Sequence, residues 1–181
     1  MEIISISDIV KRKWIVLKEA KYKNNHGKIL SWEYVERTNN PKIVTVIVKS
    51  LKSDKYLFIE QFRVSVQDRV LEFPAGLVDE NEFVDQAAIR ELREETGYSQ
   101  VNIEYKTSFT PKTAGLTNEM ASIVYCTIES EELKGSTEMD DSEDITYFWF
   151  SPEEFFHYIE NNKVLVANDV ISFMLHFKLN K

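Results

Sequence analysis

The stretch from Gly76 to Tyr98, GLVDENEFVDQAAIRELREETGY, constrains this chain more than any other. Ala88, Ile89 and Leu92 recur at helical spacing, so the segment reads as a helix packing one side on a sheet, with Gly97 closing it at the position just past the last turn. On that helix Glu91 and Glu95 stand one turn apart on a shared face, and Glu94 sits beside Glu91. Like charges at that spacing destabilise an isolated helix by a few tenths of a kcal/mol. A divalent cation between them turns the repulsion into coordination. Oxygen-only ligands suit Mg²⁺ or Mn²⁺, hard ions that also bind phosphates.

The same segment resembles the Nudix box, the signature of hydrolases that cleave nucleoside diphosphates linked to another moiety. That pattern runs Gly, five residues, Glu, seven residues, then Arg-Glu-aliphatic-any-Glu-Glu-any-Gly-aliphatic. Gly76, Glu82, Arg90, Glu91, Leu92, Glu94, Glu95 and Gly97 meet it, and Tyr98 alone departs, still with a mostly apolar ring. The competing reading of such a charge run is a solvated acidic helix.

At 181 residues with 43% hydrophobic residues, the chain suits one domain with an ordinary core. A net charge of −8 leaves no global basic field for nucleic acid, so anionic phosphates must be met by a metal or a few placed cations. The single Cys126 rules out an intrachain disulfide and, within the apolar run IVYC, reads as a core residue. The opening EIISISDIVKRKW lacks the features of a signal peptide, and no run approaches the length of a membrane span. The expectation is a cytoplasmic protein without membrane or nucleic-acid partners.

Residues 13–22 and 29–38 alternate with period two around the turn NNHGK and predict an N-terminal hairpin. Strands follow at 42–49, 56–63 and 70–73, then a loop at Pro74-Ala75-Gly76 before the glutamate helix. Further strands are expected near 102–109, 121–128 and 146–150. Ser151-Pro152 starts a helix, and the tail VANDVISFMLHFKL forms another. That order suits an α/β fold, an α/β/α sandwich around a mixed β-sheet preceded by the hairpin. The domain division expected is 1–40 for the hairpin region and 41–181 for the catalytic domain.

The flanks resemble the ADP-ribose (ADP-sugar) pyrophosphatase branch of the Nudix family, through EQFR at 60–63, LEFPAG at 71–76 and AGLTNE at 114–119. The resemblance implies hydrolysis of ADP-ribose to AMP and ribose 5-phosphate. Glu91, Glu94 and Glu95 with the main chain of Ala75 would hold Mg²⁺ or Mn²⁺, and Gly76, Glu82 and Gly97 would be structural. It implies that Trp14 and Trp32 sandwich adenine, contributed by different subunits of a homodimer; on chemistry alone both could equally be hairpin core. Arg37 and Arg63 could fork onto phosphate, Gly76 and Leu116 would touch the substrate, and Arg90 would orient box carboxylates. For the general base, Glu143 matches the family's place best, with Asp141 in reserve and Glu94 as a third choice. GDP-mannose, ADP-glucose, FAD and NADH stay open as substrates, as does a module that senses ADP-ribose without cleaving it.

Overall fold

The computed structural model describes residues 1–39, 42–132, 135–137 and 144–180. Its first sheet is an antiparallel meander of β1 (Glu2–Lys11), β2 (Ile15–Lys23) and β3 (Ile29–Arg37). The expected hairpin is β2–β3, in register from Ile15↔Arg37 to Lys23↔Ile29. Its turn closes because Asn24 Oδ1 accepts from the backbone of His26 and Lys28, and Gly27 takes φ 78°. The third strand, β1, was not expected. Its ten residues are all exposed and alternate poorly, so periodicity gave no strand there.

Among the described residues the second sheet has nine strands: β4 (Lys42–Ser50), β5 (Tyr56–Arg63), β6 (Asp68–Glu72), β7 (Ala75–Leu77), β8 (Asn102–Lys106), β9 (Thr110–Pro111), β10 (Met120–Ile128), β11 (Ile145–Phe150) and β12 (Leu165–Val166). The helices are α1 (Val84–Thr96), α2 (Pro152–Asn162) and α3 (Asn168–Leu179). The sheet is mixed, with β4 parallel to β10 and antiparallel to β7. β4 and β5 pair at Lys49↔Tyr56, and beyond that point β4 takes β7 as its neighbour while β5 takes β6 and β11. So Ala75 and Gly76, expected in a loop, belong to a short strand. The free edge of β4 supplies its partner, a non-local cause that three residues cannot signal on their own.

Alternation along β4 builds a core on each face. Val44, Val46 and Val48 pack with Ala87, Ala88 and Leu92 of α1, while Ile47 joins Phe58, Leu71 and Phe73 against Phe155, Val170 and Met174 of α2 and α3. This is the expected α/β/α layering. Truncating the fully buried Leu92 to Ala would cost about 2–5 kcal/mol. Ile89, expected in the buried stripe, is only half-buried; Ala87 takes its place, and the stripe continues into Glu95 and Thr96. Gly97 ends α1 at φ 79° and donates its N–H to Arg93 O at 2.8 Å, the left-handed stop that glycine adopts without Cβ strain. α2 begins with a reciprocal cap between Ser151 and Glu154, with Pro152 following. Among the described residues no helix is long and apolar enough to cross a membrane.

Candidate active site

α1 lays its glutamates against β7, and Arg90 organises them. Its Nε and Nη2 fork onto Glu82 at 2.9 Å each, Nη1 reaches Glu91 at 2.8 Å and Glu94 at 3.1 Å, and Nη2 also donates to Leu77 O at 2.8 Å. A guanidinium has five N–H donors, and here all five are engaged. Arg90 therefore has no donor left for a substrate oxygen in this arrangement. The Glu82 pair raises the Arg90 pKa further, and in return the Arg90 hydrogen bond holds the Glu82 carboxyl below its ordinary value. Glu82 also accepts from Asp79 N at 3.0 Å, so it braces the turn that leads into the helix.

Gly76 explains the approach of β7 to α1. A Cβ there would lie 2.0 Å from the carboxyl carbon of Glu91, so only glycine leaves room for that carboxylate beside the strand. One turn on, Glu95 is 4% exposed and its Oε2 accepts from Ala75 N at 3.2 Å. The main chain of β7 with the carboxylates of Glu91 and Glu94 thus forms the floor of a cleft of about 660 Å³, and the buried Glu95 is held against that floor by the Ala75 N–H. Its walls include Arg37, Arg63, Lys112 and Glu119. The cations an acidic chain needs for phosphate are present at this cleft. A second hollow of about 690 Å³, apolar and lined by Trp149, Phe150, His157 and Tyr158, shares no residue with it.

The other expected site residues divide. Arg63 lines the cleft with its guanidinium on Glu72 Oε2 at 2.7–2.8 Å, and Arg37 lines it paired with Glu119. Leu116 does not line it: its side chain is exposed, and its carbonyl accepts from Val35 N at 2.8 Å, stitching the 113–119 loop to β3. Trp32 supports the same seam through Nε1 on Gly115 O at 3.2 Å, and half its surface is open. Trp14 is exposed beneath Lys13 and borders no part of the cleft. The Trp14 carbonyl accepts from Thr38 N at 3.0 Å, whereas Trp32 pairs with Ala20; six residues of strand, about 20 Å, separate the two places. One chain does not bring both indoles to one ring. Glu143 and Asp141 lie outside the described residues. Lys112 and Glu119 were not singled out from the sequence, although Glu119 falls within AGLTNE.

Among the described residues no three acidic, histidine or cysteine side chains already converge as a cage for an ion. The Arg90 salt bridges account for this by tying down Glu91 and Glu94. The donor chemistry nevertheless fits a hard divalent ion: Glu91 and Glu94 on the cleft floor and Glu95 on the Ala75 N–H, all oxygen, beside a strand whose missing Cβ makes room for one of them.

Comparison with known proteins agrees with this geometry. Residues 40–168 match the model of the NUDIX domain. An ADP-ribose pyrophosphatase of Saccharomyces cerevisiae is 36% identical over 147 residues, which cover 75% of this chain and 63% of that protein, so the match spans less than two thirds of the yeast enzyme. An uncharacterized Nudix hydrolase of Schizosaccharomyces pombe is 36% identical over 145 residues, covering 75% of this chain and 70% of that one. The crystal structure of an ADP compounds hydrolase shares the fold with a TM-score of 0.69 at 19% identity, covering 98% of this chain and 92% of its own. With its box glutamates gathered on α1 beside β7 and the domain match running through most of its length, the chain belongs to the Nudix hydrolase family.

Proposed function

We propose that this enzyme hydrolyses the diphosphate of ADP-ribose to AMP and ribose 5-phosphate with Mg²⁺, and with Mn²⁺ as a substitute. The observation that carries the reading is the Arg90 clamp, which sets Glu91 and Glu94 beside Gly76 at the floor of a cleft walled by arginines. The yeast relative bearing the name ADP-ribose pyrophosphatase supports the choice of substrate. Glu91, Glu94 and Glu95, with the main chain of Ala75, would hold the metal, which supplies charge neutralisation on phosphate and a more acidic water. Displacement at phosphorus asks the protein mainly for position and charge. Arg63 and Arg37, once drawn from Glu72 and Glu119, would fork onto phosphate oxygens. A carboxylate takes the proton of the attacking water: Glu94 of the cleft, or Glu143 or Asp141 of the acidic loop.

The adenine pocket is proposed to form between two copies. Ile3, Ile4, Ile6, Ile9 and Val10 are exposed along β1, an apolar load that a second copy would cover. Pairing of two such sheets would carry Trp14 of one subunit toward Trp32 of the other.

The test is steady-state turnover with ADP-ribose, GDP-mannose, ADP-glucose, FAD and NADH in the presence of Mg²⁺. The highest kcat/KM is expected for ADP-ribose, with AMP and ribose 5-phosphate as products. A better substrate among the others would replace the substrate assignment. Tight binding of ADP-ribose without cleavage would make the chain a sensing module instead.

A further inference from the structure

Among the described residues, three of the four cations lining the cleft have their charge met nearby: Arg37 by Glu119, Arg63 by Glu72, and Arg90 by Glu82, Glu91 and Glu94. Lys112 is the exception. Among the described residues no hydrogen bond or ion pair engages its ammonium, and it stands exposed on the cleft wall of a chain with net charge −8. Its backbone is held, because its N–H donates at 3.0 Å to the carbonyl of Glu119, the residue whose carboxylate pairs with Arg37. A fixed backbone under a flexible, uncompensated ammonium is suited to receiving an anion from solution.

The sheet tells which part of a substrate Lys112 can meet. From Pro111 the pairing runs to Met120, from Met120 to Lys42, and from Ile43 to Leu77. Three strand steps put the Lys112 backbone about 14 Å from β7. The Lys112 backbone therefore stands apart from the carboxylates beside Gly76, on the far wall of the same cleft. It lies at the end where β3 is stitched to the 113–119 loop, with Trp32 on Gly115. Under the reading above, that end takes the adenosine.

We propose that Lys112 is a specificity-determining residue that reads negative charge on the adenosine half of the substrate, favouring a nucleoside diphosphate sugar that carries a phosphate on the adenosine ribose. The inference rests on the proposed function for its substrate class, so its test must not depend on turnover. Binding of ADP-ribose and of 2′-phospho-ADP-ribose is measured by calorimetry with a chelator present, for the native protein, K112Q and K112R. The native protein is expected to bind the phosphorylated ligand more tightly. K112Q should lose about 10- to 100-fold on that ligand, the range for a charge-assisted hydrogen bond, and much less on ADP-ribose. K112R should keep most of the preference, and matching thermal melts would show that the variants fold alike. Equal weakening on both ligands, or none on either, overturns the inference. Cleavage assays on the same samples report separately on the function: binding as expected without hydrolysis would sink the enzymatic reading and leave the role of Lys112 standing.

Discussion

Arg90 carries the geometry of the site because each of its five donors is committed, four of them to carboxylate oxygens. Lysine offers a point charge without the planar fork, so R90K should leave Glu91 and Glu94 loosely placed. We expect kcat to fall by about 10²-fold with KM nearly unchanged, since misplacement by an ångström has that scale of effect. A rise in KM with normal kcat would instead make Arg90 a substrate-binding group. The Glu82 partner gives a prediction with a definite sign. Its folded pKa is lowered by Arg90, so the pair stabilises the protein fully above the ordinary value of 4.5, and the contribution is lost as pH falls through the lower folded value. E82Q should lower Tm by about 2–4 °C at pH 7, and the gap should close as the pH drops well below 4.5. A gap that is constant with pH would mean the pair contributes through packing alone. E95Q keeps the shape of a buried side chain and removes its charge; turnover should fall by about 10²-fold or more, while E82Q costs less activity.

At the scale of elements, β7 is the piece that turns a helix of glutamates into a site. G76A would place a methyl on the Glu91 carboxylate, the movable end of a flexible side chain, so the fold should survive while the carboxylate is displaced. Activity should drop about 10²-fold with a melting curve close to the native one, and an active G76A would show that Glu91 need not lie there. The helix itself was legible in the sequence, because spacing fixes which glutamates share a face and Gly97 marks the stop. The strands β4, β5, β10 and β11 were legible too, from β-branched and aromatic runs. β7 was not, since its pairing depends on where β4 and β5 part company. β1 was missed because a fully exposed strand lacks the alternation that burial imposes. Lys112 escaped notice for a different reason: its standing comes from what the other three cations are paired with, which only the fold reveals. Tyr98, the one departure from the box pattern, finds its use in the structure. Its hydroxyl donates to Glu131 O at 2.5 Å and accepts from Trp149 Nε1 at 3.0 Å, contacts that an aliphatic residue could not make.

For the whole molecule, the separation of Trp14 from Trp32 and the uncovered apolar length of β1 point to one expectation, a homodimer that completes the adenine pocket. Light scattering should report twice the 21.2 kDa of the chain, and W32A should raise the KM for ADP-ribose several-fold more than it lowers kcat, because stacking holds ground and transition states alike. A fully active monomer would remove the shared pocket and leave the chemistry of the cleft untouched. Phosphorus NMR of ADP-ribose incubated with the protein follows that chemistry at the reacting atoms. With Mg²⁺ present, the paired diphosphate resonances should give way to two phosphomonoester signals in equal amounts, and neither chelated protein nor E95Q should produce them at a comparable rate. Diphosphate signals that persist with the native protein and Mg²⁺ would show that the cleft does not cleave ADP-ribose, and signals that vanish as fast with E95Q would remove Glu95 from the metal site.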